Sequence, residues 1–211
     1  MKVAFISDTH GTHKYIPNLP EADVICHTGD LSGHGYTEEI IDFMKWFATL
    51  PYKHKVFIAG NHDWGWFHHE DVLLNYVPEG ITYLRDSSVI IDGLKFYGTP
   101  WQPVFLDWAF NLEEGELVKK WELIPSGTDI LLTHCPPHNI LDLANYRNEH
   151  TGSKSLLDKI LEIDPIVSAF GHIHEAYGSI SLYNNITFVN SSLLNRRYEL
   201  VNDPIVINVV R

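Results

Sequence analysis

Five times along this chain a strand-like apolar run stops at side chains able to bind metal. The segments are Asp8-Thr9-His10, Gly29-Asp30, Gly60-Asn61-His62-Asp63, Thr133-His134 and Gly171-His172-Ile173-His174. Singly, each has a bland explanation. A D-T-H at a strand end is often an Asp bonding into its own turn, a lone H-x-H is usually surface, and Gly-Asp is an ordinary strand-ending turn. Together and in this order they supply two carboxylates, an amide oxygen and several imidazoles, a set that suits a pair of divalent cations. Side chains two apart at a strand end point the same way. Asp8 with His10, and His172 with His174, are therefore each expected to reach one metal cluster, giving a two-metal hydrolytic site.

A chain of 211 residues that is 45% hydrophobic is expected to be a single domain, 1–211, with a substantial core. No apolar run approaches the ~18 residues of a membrane span. At the N-terminus one Lys2 precedes Val3-Ala4-Phe5-Ile6, too short for a signal-peptide core, and cleavage there would remove Asp8 and His10. A cytoplasmic location is expected. Cys26 and Cys135 make no disulfide framework. Cys26 reads as a small buried thiol and Cys135 as a neighbour of the pocket edge rather than a ligand. The net charge of −12, with no basic block, argues against duplex nucleic acid, which is bound chiefly through Lys and Arg. Bound metals would reverse the sign locally, so a small phosphorylated substrate is the expected partner.

Short β-branched runs bounded by Gly, Pro, Asn and Asp predict strands at 3–7, 23–27, 55–59, 89–91, 95–98, 129–133, 166–170, 179–182, 187–190 and 204–210. Helical spacing of Ile40, Ile41, Met44, Phe47 and Ala48 predicts a helix over 37–50 capped by Thr37. Leu156, Leu157, Ile160 and Leu161 predict another over 153–163, and 113–121 reads as a short helix. Helices among the early strands and a strand-rich C-terminal third indicate an α/β protein with mixed sheets. Residues 99–126 are the least regular and carry Pro100, Trp101, Pro103, Phe105, Trp108 and Phe110. Packing of a long loop onto the domain is the favoured reading; a lid or pocket wall is the alternative.

The series D-x-H, G-D, G-N-H-D, H, G-H-x-H from residue 8 to 174 resembles the signature of the calcineurin-like metallophosphoesterases. Thr133-His134-Cys135-Pro136-Pro137 and Gly171-His172-Ile173-His174-Glu175-Ala176-Tyr177-Gly178 resemble the MPPED-type phosphodiesterases within it. That subfamily commonly has Glu where this chain has Asp63, which keeps the carboxylate but shortens it by a methylene. The resemblance implies a four-layer α-β-β-α sandwich of two mixed sheets with the metal site at strand ends. It implies that Asp8, His10 and His174 hold a first metal, that Asn61, His134 and His172 hold a second, and that Asp30 bridges. Such ions sit about 3.5–4 Å apart. Manganese is the leading expectation, with Fe, Zn, Co and Ni open, since a mixed O/N set does not discriminate.

The implied reaction is hydrolysis of a small phosphodiester, such as a cyclic nucleotide or aryl diester, by a metal-bridging hydroxide. His62 would donate a proton to the leaving oxygen and Asp63 would orient its ring. Alternatives on the same core are a phosphomonoesterase, a nucleotide pyrophosphatase or a nuclease. A non-catalytic metal-binding scaffold is the alternative from another class, weighed down by a ligand set with no gaps.

The remaining histidines are read with restraint. His13, His34, His54, His68, His69 and His150 read as solvated, with His34 also weighed as a substrate contact because it follows Asp30 closely. His27 reads as a buried group behind the ligands and His138 as an even candidate for the pocket. Asn145 and Arg147 are weighed as phosphate contacts and read as surface residues.

Overall fold

The computed structural model describes residues 1–144, 148–183 and 185–210, so Asn145 and Arg147 lie outside the described residues. The chain begins β1 (Lys2–Ile6), β2 (Val24–Thr28), α1 (Thr37–Thr49), β3 (His54–Ile58), α2 (Trp64–His68), α3 (Glu70–Leu73) and β4 (Ile81–Tyr83). It continues with β5 (Ser87–Ile91), β6 (Leu94–Thr99), β7 (Gln102–Pro103), β8 (Asn111–Leu112), α4 (Glu114–Trp121), β9 (Ile130–Thr133), β10 (Leu143–Ala144) and β11 (Glu149–His150). Then come α5 (Lys154–Ile163), β12 (Val167–Phe170), β13 (Gly178–Leu182), β14 (Ile186–Asn190) and β15 (Ile205–Asn208).

Two mixed sheets form the body. One has the order β15-β1-β2-β3-β4, the other β13-β14-β12-β9-β6-β5. Within the first, β1 to β4 run parallel and β15 closes the edge antiparallel. In the second, β14, β12, β9 and β6 run parallel while β13 and β5 flank them antiparallel.

Strand alternation divides the core into layers. Val3 and Phe5 of β1, Val24 and Cys26 of β2, and Val56 and Ile58 of β3 share one buried cluster with Phe96, Ile130, Leu132, Val167 and Val189 of the other sheet. The intervening residues Ala4, Ile6, Ile25 and Phe57 join a second cluster with Ile40, Phe43, Met44 and Phe47 of α1. Leu131, Phe170 and Phe188 belong to that cluster with Leu117 and Trp121 of α4 and Leu156 and Ile160 of α5. Both faces of each sheet are thus covered, as parallel sheets require, and the architecture is the expected α-β-β-α sandwich. Each buried Phe contributes roughly 1.5–3 kcal/mol through its removal from water.

The predicted strands all occur, with ends displaced by a residue or two. β4, β7, β8, β10 and β11 are additions to them, because runs of two or three residues are too short to show periodicity. Thr37 is not the cap of α1. The helix is entered one residue earlier, where the N–H groups of His34 and Tyr36 both donate to Glu39 Oε2, at 3.0 and 3.2 Å. Ser153 does cap α5, its Oγ accepting from Leu156 N at 3.1 Å. His13 is not solvated: it is 1% exposed, packed on Phe43 and Trp46. Its polar neighbours in sequence conceal a place under α1.

Candidate metal centre

The parallel strands of both sheets deliver their C-terminal ends to one crevice, where open α/β sheets characteristically place ligands. Beyond the strand ends the loops stay laced together. Asp8 N donates to Gly29 O, His10 N to Asp30 O, and Gly11 N to Leu31 O, each at 3.0 Å. Gly171 N donates to His134 O at 3.1 Å, and Leu193 N to Ser7 O at 3.1 Å, which ties the two sheets at the site.

The residues there do not continue the strand pleat. Asp8, His10, Asp30 and His172 have φ of 52°, 40°, 55° and 68°, left-handed values that non-glycine residues adopt at some cost. The two-residue periodicity expected at these ends therefore gives way to sharp turns, and His172 and His174 go to different groups. A Cβ on Gly171 would run into Asp8 Oδ2 and Ser7 Oγ, and one on Gly29 (φ 104°) into His134, so ligand packing needs both glycines bare.

Three overlapping groups of ligand atoms result, each with all atoms within 4.8 Å: Asp8, His10 and His174; His10, Asp30 and His62; Asp30, His134 and His172. Asp30 Oδ1 accepts from His62 N at 2.8 Å, leaving Oδ2 facing both His10 Nε2 (3.6 Å) and His134 Nε2 (3.4 Å). Asp8 accepts from His172 N at 3.0 Å and from Ser192 Oγ at 2.7 Å, and lies 3.4 Å from His174 Nε2. The structure brings Asp8, His10, Asp30, Asn61, His134, His172 and His174 together.

Whether these residues suit cations can be tested on their hydrogen bonds. His134 Nδ1 donates to Thr28 O at 2.9 Å and His174 Nδ1 to Asn195 O at 3.1 Å, which turns each Nε2 inward. His134 Nε2 then faces Asn61 Oδ1 at 2.9 Å, and His174 Nε2 faces His10 Nε2 at 3.3 Å. With the proton of a neutral His134 on Nδ1, the first is a contact between two acceptors, favourable only with a proton or a cation between them. In the second, His10 Nδ1 is buried without a hydrogen-bond partner, so a neutral His10 can carry its proton on Nε2 and donate to His174. The inward-facing carboxylates, amide oxygen and imidazole nitrogens fit divalent cations.

The titration behaviour agrees. Burial opposes charging His134, but the carboxylate of Asp30 outweighs it and lifts the ring to about 9. Burial likewise opposes charging His174, and its hydrogen bond and attraction to Asp8 raise it to about 9. Burial prevails at His10 and His172, which fall to about 4 and about 3. Asp8 and Asp30 are held below the ordinary carboxylate range because the imidazoles outweigh the burial that would raise them. The carboxylates thus gather positive charge where metals would displace protons.

His62 lies against this cluster, but Asp63 does not orient its ring. His62 Nδ1 donates to Gly33 O at 2.8 Å instead. Asp63 points the other way and accepts from Gly60 N (2.8 Å), Leu31 N (3.3 Å), Ser32 N (3.0 Å) and Ser32 Oγ (2.5 Å). It therefore knits the loop after β2 to the loop after β3. Burial and the charge of Asp30 lift its carboxyl to about 6. Sequence adjacency suggests the ring as its partner; the turn at Asp63 sends it to backbone amides.

His27 is the buried group expected, with Nε2 3.0 Å from Thr9 Oγ1. His34 faces outward, stacked on Tyr36. His138 and His150 flank the buried Asp142, His150 Nδ1 donating to it at 2.6 Å. Cys135 is buried at the pocket wall, and burial pushes its thiol up, away from thiolate chemistry.

A cavity of about 570 Å³ opens onto Asp30, Asn61, His62, His172 and His174. One wall is Pro103, Val104, Phe105, Leu106 and Trp108; Arg196 and Tyr198 also line the cavity. The aromatic segment thus does both things weighed for it: Trp101, Phe110 and Trp121 pack inward, and 103–108 line the pocket. Sequence reasoning misses Gly33 O, Ser192, Arg196 and Tyr198. Tyr198, at φ 60°, sits 4.9 Å from the His10 ring. Only its place shortly after a late strand would have pointed to it.

A sandwich of this kind, with a carboxylate shared between histidine groups at its strand ends, defines a metal-dependent phosphoesterase. The chain belongs to the calcineurin-like phosphoesterase family, whose model matches residues 1–176. It is 37% identical to human metallophosphoesterase domain-containing protein 1 across 97% of this chain and 69% of that protein. The protein TT1561 of Thermus thermophilus shares the fold, with a TM-score of 0.64 at 15% identity over 90% of this chain and 88% of that one. The GAP50 anchor of the Plasmodium inner membrane complex superposes with a TM-score of 0.54 at 12% identity, over 92% and 71% of the two chains. No helix among the described residues is long and apolar enough to cross a membrane.

Proposed function

We propose that this chain is a single-domain, dinuclear phosphodiesterase acting on small phosphodiesters, cyclic nucleotides and aryl diesters among them, in the cytoplasm. The observation that carries the reading is Asp30 Oδ2, which faces His10 and His134 at once and so belongs to both halves of the ligand set. Asp8, His10 and His174 would hold one ion; Asn61, His134 and His172 the other. Manganese is the first ion to test. Bound there, the ions would polarise the phosphoryl oxygens and supply a hydroxide nucleophile near neutral pH.

The chain's own residues do the rest. Thr28 O and Asn195 O fix the tautomers of His134 and His174. His62, in its protonated form, keeps Nδ1–H on Gly33 O and offers Nε2–H to the leaving oxygen. Preference for a diester over a monoester rests on the apolar wall 103–108 beside the ligands, which gives a second ester substituent somewhere to lie. The deciding experiment is a matrix of Mn, Zn, Fe, Co, Ni and Mg against aryl monoester, aryl diester, 2′,3′- and 3′,5′-cyclic nucleotides and dinucleotides. Diester hydrolysis in excess of monoester hydrolysis is expected; preferential monoester turnover would overturn the specificity.

A further inference from the structure

His62 is held on more than one side. Its backbone N–H is on Asp30, its Nδ1 on Gly33 O, and the edge of His10 meets it at 4.5 Å between ring centroids. The open face is covered by Trp108, stacked at 4.1 Å with the planes 24° apart. Among the described residues this is the tightest ring contact in the site, and it comes from a part of the chain far from the metal motifs.

The segment that carries Trp108 is built to keep it there. At its base Gln102 N donates to Phe110 O at 3.0 Å, and Gln102 Nε2 to Asn111 Oδ1 at 2.8 Å. Asn111 Nδ2 braces the inside of the loop by donating to the carbonyls of Phe105 and Leu106, both at 3.1 Å. The residue after the tryptophan is tied to the site itself: Ala109 N donates to Asn61 O at 3.3 Å. Below the loop, Trp101 donates Nε1–H to Asp86 and lies under the Lys120 ammonium, 4.1 Å from the ring centroid. A loop that merely covered a cavity would not need the bond to the backbone of Asn61.

We infer that Trp108 is a positioning residue for His62, holding the imidazole in the plane that points Nε2 at the leaving oxygen, so that the pocket wall and the proton donor form one unit. The inference rests on the proposed role of His62. The indole also shields that face of the imidazole from water. A stacked aromatic pair is worth enough to alter a rate by roughly 2- to 13-fold when the contact must persist in the transition state.

The test is a double-mutant cycle with Trp108→Leu, Trp108→Phe and His62→Ala, assayed with a nitrophenyl diester and an alkyl diester, alongside histidine-ring NMR of the metal-free proteins. In Trp108→Leu, kcat is expected to fall by roughly 2- to 13-fold for the alkyl leaving group. It should change little for nitrophenyl, and the ring-current displacement of the His62 proton signals should vanish. Trp108→Phe should restore most of both. In the His62→Ala background Trp108→Leu should cost nothing further, since residues acting through one another are not additive. An equal loss in both backgrounds, or a loss confined to KM for both substrates, would overturn the inference and make Trp108 a substrate wall only. If His62→Ala fails to distinguish the two leaving groups, the proton-donor role itself falls; coupling in the cycle would still read whether Trp108 acts through that ring.

Discussion

The ligand cluster and the pocket wall lie side by side and are made differently. Cluster residues sit just beyond strand ends, Asp8, His10, Asp30 and His172 with positive φ, and they are deeply buried: Asp8, Asp30 and His134 are 2% exposed or less. The wall at 103–108 is half open, with Leu106 71% exposed, and is fixed at its base and along its carbonyls rather than at its side chains. On the proposed function, the donor atoms are fixed at the strand ends, whereas selection among substrates would fall to the more exposed wall. His62 stands where the two meet.

The sharpest way to break this contrast is at Asp30. Asp30→Ala is expected to abolish activity and to strip metal from both halves of the site, since the one carboxylate faces His10 and His134 together. Chelation of the wild type should mimic it, with recovery on adding Mn. Elemental analysis showing two tightly held ions in the variant would refute a shared ligand.

His62→Ala tests the boundary. Metal content should stay intact while turnover of an alkyl ester falls toward the upper part of the roughly 10²–10⁴-fold range expected for a lost general acid. A nitrophenyl ester, whose leaving group departs unprotonated, should suffer far less. Loss of metal would move His62 into the ligand set.

Asp63→Asn probes the scaffold behind the ligands. An amide brings its own N–H toward the donors of Gly60, Leu31 and Ser32, so the variant should lose about 1–3 kcal/mol of stability by denaturant unfolding. If it instead mimicked His62→Ala in leaving-group dependence at full stability, the carboxylate would be acting on the ring after all. The smallest effect belongs to the wall: Phe105→Ala should raise KM for an aryl diester by several-fold to about 10-fold, through apolar contact alone, with kcat and metal content unchanged. A fall in kcat or metal would mean the wall and cluster are not separable there.

The cluster is legible in the sequence because metal binding restricts residue type: Asp8, His10, Asp30, Asn61, His134, His172 and His174 can each be named from their motifs. The layers are legible too, since Val3-Ala4-Phe5-Ile6 shows its buried character on both faces. The turn geometry is not. Nothing in Asn61-His62-Asp63 says that successive side chains diverge, so adjacency pairs Asp63 with its neighbour instead of with Ser32 and the amides. Backbone acceptors such as Gly33 O and Thr28 O are silent in any sequence. Trp108 and Tyr198 can be seen only as aromatics in loops, where packing and pocket lining need the same residues. His13 is misread as solvated because its neighbours are polar while α1, which covers it, comes later in the chain.

Asp8 accepts from His172 and from Ser192, partners 164 and 184 residues away. Closing contacts of that span is slow, because the entropy of the intervening chain must be lost before the contact returns anything. The Ser7–Ser192 bridge, which joins the first strand's exit to that of β14, is of the same kind. The crevice therefore comes into being only when nearly the whole polypeptide has found its place. A chain shortened before Ser192 would keep every motif from Asp8 to His174 and still lack the hydroxyl that holds Asp8 in position. Competence to bind metal would then arrive late in folding and all at once.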